Sequence, residues 1–207
     1  MAGAGWIEVV VGGMFSGKTE ELIRRLRRAK FARQKIQVFK PIIDARYSKE
    51  EVTSHNLNSI PSIPIRGAQE IWDHLKDETQ VVGIDEGQFF QSDLVEVVQT
   101  LAARGLRVVI AGLDTDWQGL PFEPMPTLMA IAENVTKQHA VCVVCGTLAS
   151  RTQRTGDPTQ GDRVLVGAHD HYEARCRGHF KPQVVAPTKI QDPAPGPQLH
   201  PALEPNW

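Results

Sequence analysis

Between the apolar run Trp6–Val11 and a helix-like segment over Thr19–Arg33, the chain reads Gly12-Gly13-Met14-Phe15-Ser16-Gly17-Lys18-Thr19. This is G-x-x-x-x-G-K-[ST], the phosphate-binding loop, with the strand before it and the helix after it that the motif requires. The glycines let the backbone curl so that successive N–H groups converge on an anion. The helix that follows adds its partly positive N-terminus. In this pattern Lys18 reaches the β- and γ-phosphates and the Thr19 hydroxyl faces Mg²⁺. The expected ligand is a nucleoside triphosphate.

The remaining sequence bounds what is done with that triphosphate. Its 207 residues suffice for one medium domain and a small appendage, and 41% apolar residues can fill a core. A formal net charge of −1 argues against a dedicated nucleic-acid binder. The N-terminal apolar stretch is short and lacks a basic flank, so no secretory leader is expected. No run has the length of a membrane span. Three cysteines, an odd number, do not suit a secreted disulfide framework, and the expectation is a cytosolic protein.

Three zones follow from the patterning. Residues 1–138 alternate short apolar runs with amphipathic stretches, as repeated βα units do. Strands are expected at Trp6–Val11, Ile36–Lys40, Val81–Asp85 and Val108–Gly112. Helices are expected at Thr19–Arg33, Ala68–Leu75, Leu94–Arg104 and Leu128–Asn134. The strand runs are continuous rather than alternating, which fits a parallel sheet covered on both faces. The fold class expected is therefore α/β, a P-loop sheet with covering helices. Residues 139–181 contain all three cysteines and read as a small metal-stapled lobe. Residues 182–207 hold seven of the fourteen prolines and read as an extended or disordered tail. The first helix carries Arg24, Arg25, Arg27, Arg28, Lys30 and Arg33, with Lys35 just beyond, expected to form a solvated face.

Val81-Val82-Gly83-Ile84 ends in Asp85 and Glu86. In phosphate-loop proteins the aspartate ending such a strand helps to hold Mg²⁺. Glu86, one residue further on, lies where a carboxylate can take a proton from an attacking hydroxyl. The attacking group can be water, which makes an ATPase or RecA-like motor, or a substrate alcohol, which makes a kinase. Asp44 and Arg46 follow the strand ending at Lys40-Pro41. They suit a Mg²⁺ second shell and charge stabilisation on the transferring phosphoryl group, although a surface ion pair would look the same.

Cys142-x-x-Cys145 and Cys176-x-x-His179 offer two ligands from each of two knuckles. Three thiolates and an imidazole form a closed set, which suits structural zinc. A redox CxxC is the rival, but it leaves Cys176 and His179 without a role. A non-enzymatic zinc module that binds nucleic acid is the third reading, opposed by the near-zero net charge and the intact Lys18-Thr19.

The stretches GGMFSGKTEELIRRLRRAKFA, KPIIDARYS followed by SHN, GIDEGQFF, GLDTDWQGLPF, CVVC and CRGH occur in the order found in type II thymidine kinases. The resemblance covers about residues 6–181. It implies a RecA-like core with a zinc-anchored lasso lobe. It also implies transfer of the ATP γ-phosphate to the 5′-hydroxyl of deoxythymidine, a cytoplasmic homotetramer, and inhibition by dTTP. By the same resemblance Glu86 is the catalytic base, and Gly12–Thr19, Asp85 and Arg46 contact ATP. Thr19, Asp44 and Asp85 are then associated with Mg²⁺. Met14, Phe89, Leu113, Trp117, Phe122, Val164, Leu165, Val166 and Tyr172 hold thymidine. Two positions depart from the family pattern. Trp117 stands where phenylalanine is common, and Gly167-Ala168 replaces a Gly-Gly pair.

Overall fold

The computed structural model describes residues 4–42, 51–53, 59–155 and 171–182. Asp44, Arg46, Val164, Leu165, Val166, the Gly167-Ala168 pair and the proline-rich tail beyond Pro182 lie outside the described residues.

The core is a parallel sheet of six strands. These are β1 (Trp6–Val11), β2 (Ile36–Pro41), β5 (Ile63–Ile65), β6 (Val81–Ile84), β7 (Arg107–Gly112) and β8 (Asn134–Lys137), in the order β5-β2-β6-β7-β1-β8. A short antiparallel pair, β3 (Glu51–Thr53) and β4 (Ser59–Pro61), precedes β5. The register places Val9 opposite Ile110 on one side and Val135 on the other. Phe39 pairs with Ile84, and Ile84 with Ile110.

Both faces of this sheet are apolar, which explains the unbroken apolar runs of its central strands. Val10, Val38, Val81, Val109 and Ala111 pack with Leu22, Ile23, Leu26 and Ala29 of α1 (Lys18–Phe31). Ile7, Val9, Val11, Phe39, Ile84 and Ile110 face the opposite way. They pack with Ile71 of α2 (Ile71–His74), Leu94, Val98 and Leu101 of α3 (Asp93–Ala103), and Leu128 of α4 (Met125–Ile131).

Some elements depart from the sequence expectation. The fourth helix runs Met125–Ile131 rather than Leu128–Asn134: it starts beside Pro126, and Ala132 has already turned extended at ψ 140°. Asn134 belongs to β8, whose four residues include a single aliphatic side chain, so the apolar signal of a strand is missing. The three-residue β5 was not anticipated either; its two isoleucines flank Pro64, which edge strands tolerate.

The arginine-rich face of α1 is only partly solvated. Arg24, Arg27 and Arg28 are exposed, as is Arg33 just past the helix end, but Arg25 turns inward. Its guanidinium donates to Glu8 Oε2 at 2.8 Å and to Glu21 Oε1 at 2.8 Å. Glu8 also accepts from Arg107 Nε and from the Trp6 indole, each at 2.7 Å. One buried carboxylate thus ties α1 and β7 to β1.

Beyond β8 the chain forms two small antiparallel ladders. β9 (Ala140–Val141) pairs with β10 (Leu148–Ala149), and β11 (Arg151–Arg154) pairs with β12 (Tyr172–Arg175).

Candidate active site

The parallel sheet aims its strand ends at one edge, where β1 delivers the glycine loop and β6 delivers two carboxylates. Gly12 has φ 152°, and a Cβ there would lie 2.3 Å from the carbonyl oxygen of Gln138. No other residue fits that position. Phe15 and Gly17 also take positive φ, at 65° and 80°, which curls the loop. The Ser16 hydroxyl donates to the Gly13 carbonyl at 2.8 Å and braces the curl. α1 then starts at Lys18, with no side chain capping its N-terminus at Gly17. The N–H groups of its first turn remain available to an anion.

Lys18 folds back over the loop, its ammonium donating to the Gly13 carbonyl at 2.8 Å. Burial holds its pKa below the ordinary lysine value, while the carboxylates of Glu86, Asp85 and Asp114 pull the other way. The Thr19 hydroxyl lies 3.4 Å from Asp85 Oδ2 and 3.5 Å from Oδ1, too long for a strong hydrogen bond. Two oxygens held by one octahedral Mg²⁺ sit about 3.0 Å apart, so the pair suits that ion with little movement. Asp85 is buried, and burial first, then the neighbouring charge of Glu86, pushes its pKa up to about 7. A bound cation removes that penalty.

Glu86 is only partly buried and has φ 53°, a left-handed conformation that a β-carbon disfavours. Its carboxylate accepts from Gln88 Nε2 at 2.5 Å. Gln88 carried no sequence signal of its own, being one polar residue within GIDEGQFF.

The residues assigned to thymidine lie mainly after β7 and on the small ladders. Leu113, Trp117, Phe122 and Tyr172 are buried, and Met14 and Phe89 are partly exposed. Phe89 and Phe122 meet edge to face with centroids 6.2 Å apart. Trp117 lies under the Arg154 guanidinium, 5.3 Å from the ring centroid. Arg154 sits opposite Tyr172 in the β11–β12 ladder and is itself 2% exposed. Neither Arg154 nor Thr152, which touches the loop through Met14, was found by sequence reasoning. A lone polar residue in a short strand gives no such signal.

Cys142, Cys145, Cys176 and His179 present their ligand atoms within 4.8 Å of one another. The Cys145 and Cys176 sulfurs are 3.8 Å apart, and His179 Nδ1 lies 3.2 Å from Cys176 Sγ and 3.8 Å from Cys142 Sγ. Sulfurs at about 2.3 Å from a tetrahedral zinc are about 3.8 Å from each other, so the donor set fits that ion. The thiol of Cys142 is ready for a cation. Burial raises its pKa, but backbone N–H groups of Cys176, Val144 and Cys145 outweigh that and bring it down to about 5. A redox pairing within the CxxC leaves this convergence of four ligands unexplained.

A family model described as thymidine kinase matches residues 5–180. The chain belongs to the thymidine kinase family. It is 74% identical over 185 residues to a thymidine kinase of Bdellovibrio bacteriovorus, covering 89% of each chain. The reaction is the family's, phosphorylation of deoxythymidine to dTMP. Among the described residues no helix is long and apolar enough to cross a membrane.

Proposed function

We propose that Gly12–Thr19 cradles the phosphates of ATP and that Glu86 is the general base for the thymidine 5′-hydroxyl. The observation that carries this reading is the meeting of the two strand ends, Thr19 of the loop lying 3.4 Å from Asp85, next to Glu86. In the reaction a bond forms between O5′ and Pγ, and the bond from Pγ to the β,γ-bridging oxygen breaks. The O5′ proton passes to the Glu86 carboxylate and ADP leaves. Lys18 compensates charge between the β- and γ-phosphates, and loop N–H groups orient them. Thr19 and Asp85 would hold Mg²⁺, which when bound neutralises phosphate charge. Asp44 and Arg46 are assigned to the same site by resemblance.

The thymine side is assigned to Met14, Phe89, Leu113, Trp117, Phe122, Val164, Leu165, Val166 and Tyr172. Residues 139–181 act as a lobe that closes over the nucleoside, with Cys142, Cys145, Cys176 and His179 as its zinc staple. A cytoplasmic homotetramer inhibited by dTTP completes the reading, on the family resemblance. The test is ADP and dTMP formation with and without thymidine. Turnover that requires thymidine is the expected result. Comparable ATP hydrolysis without nucleoside would make Glu86 an activator of water instead.

A further inference from the structure

We propose that Gln88 is a positioning residue for Glu86, locking the proposed base to the loop that follows β7. The inference rests on the reading of Glu86 as that base. Gln88 is 3% exposed, and both ends of its carboxamide are used. The backbone N–H of Leu113 donates to Gln88 Oε1 at 3.0 Å, while Gln88 Nε2 donates to Glu86 Oε2 at 2.5 Å. The first bond fixes the second. A backbone N–H can only donate, so the amide oxygen must face Leu113 and the NH₂ must face Glu86. Turning the amide over would strand a buried donor.

The slot that holds this side chain is closed. A Cβ on Gly112 would lie 2.9 Å from Gln88 Oε1 and 2.7 Å from Met125 Sδ, so β7 ends in glycine where the amide passes. The Glu86 backbone has its own bonds, its N–H donating to Asp85 Oδ1 and its carbonyl accepting from the Phe89 N–H, each at 3.0 Å, whereas its carboxylate is bonded to Gln88. Its backbone is in the left-handed region and its side chain is partly exposed. The tether engages one carboxylate oxygen and leaves Oε1 for the incoming hydroxyl proton. Because Leu113 is among the residues assigned to thymidine, the acceptor pocket and the base share one rigid link of three groups.

The experiment is a double-mutant cycle on the full-length enzyme, with Gln88→Met and Glu86→Gln alone and combined. Gln88→Met should lower kcat by about 10- to 100-fold, the scale of misplacing a reacting group by about 1 Å, with KM for ATP within about twofold. In the Glu86→Gln background the same substitution should cost less than about twofold, because there is no base left to position. An equal fold-loss in both backgrounds would show that Gln88 is merely structural and would overturn the proposal, as would a Gln88→Met kcat within about twofold of wild type. Near-normal activity of Glu86→Gln would instead sink the base assignment itself, and the positioning role with it. Gln88→Asn, one methylene shorter and unable to span both partners, replaces Gln88→Met in the cycle should the latter not fold, and is read by the same criteria.

Discussion

The backbone N–H of Met14, inside the phosphate-binding loop, donates to Thr152 Oγ1 on β11 across 2.9 Å. Thr152 is 3% exposed and pairs with Ala174 on β12, two residues before Cys176. A continuous path therefore runs from the cysteine cluster along β12, across the ladder to β11 and through the Thr152 hydroxyl to the loop. Thr152→Val keeps the shape and removes the acceptor. Thymidine affinity should fall about 3- to 10-fold, the scale of one net hydrogen bond, with a smaller change for ATP. Calorimetric titration with each ligand checks the order of the two effects.

Glu86→Gln should reduce kcat by about 10²–10⁴ while both substrates still bind, since the amide matches the carboxylate in shape but takes no proton. Single-turnover dTMP formation together with equilibrium nucleotide binding separates the two quantities.

Lys18→Ala should cripple turnover even at saturating ATP, because the role proposed for the ammonium is to compensate charge on the transferring phosphoryl group. Activity within a few-fold of wild type would remove the loop from the catalytic site.

Metal analysis should find about one zinc per chain. Cys176→Ala should lose thymidine affinity and small-lobe stability before ATP binding, because structural zinc contributes folding energy directly. Unaltered thymidine binding in that variant would sever the path described above.

Acid should weaken the fold through Glu8 and Glu21. Hydrogen bonds from Arg24, then opposed by burial and reinforced by Arg25, hold the Glu21 pKa at about 2 against an ordinary 4.5. Burial raises the Glu8 pKa, but Arg107, Trp6 and Arg25 together leave it lowered. A depressed carboxylate stabilises the fold above its unfolded value, and that contribution is lost as pH falls from 4.5 toward 2. Glu8→Gln should cost about 1–3 kcal/mol at pH 7, less than a fully buried pair. The gap between variant and wild type should shrink as the solution is acidified below pH 4.5, as melting curves will reveal.

How much of this was legible beforehand follows from where each signal resides. The central strands were visible because burial on both faces makes Val9-Val10-Val11 and Val81-Val82 unbroken apolar runs. The glycine loop and the Cys142, Cys145, Cys176 and His179 cluster were visible because the chemistry such motifs serve fixes local spacing. β8 was hidden, since an edge strand buries little, and its residues Asn134 and Val135 are exposed. Gln88, Thr152 and Arg154 were hidden for another reason. Each acts through a partner distant in sequence, Leu113, Met14 and Trp117 respectively, and such contacts exist only once the sheet has assembled. The inward turn of Arg25 was missed in the same way, because its partner Glu8 sits in an otherwise apolar strand.

The strand order has an evolutionary consequence. β1 and β6, which deliver the glycine loop and the carboxylates, stand on either side of β7, whose following loop supplies Leu113, Trp117 and Phe122. Apart from Met14 and Phe89, which share the connections after β1 and β6, the groups assigned to the acceptor among the described residues are thereby encoded away from those assigned to the phosphate donor. Substitutions after β7 can redraw the preferred alcohol while the triphosphate machinery stays intact, so lineages built on this sheet are free to diversify in what they phosphorylate without reinventing how.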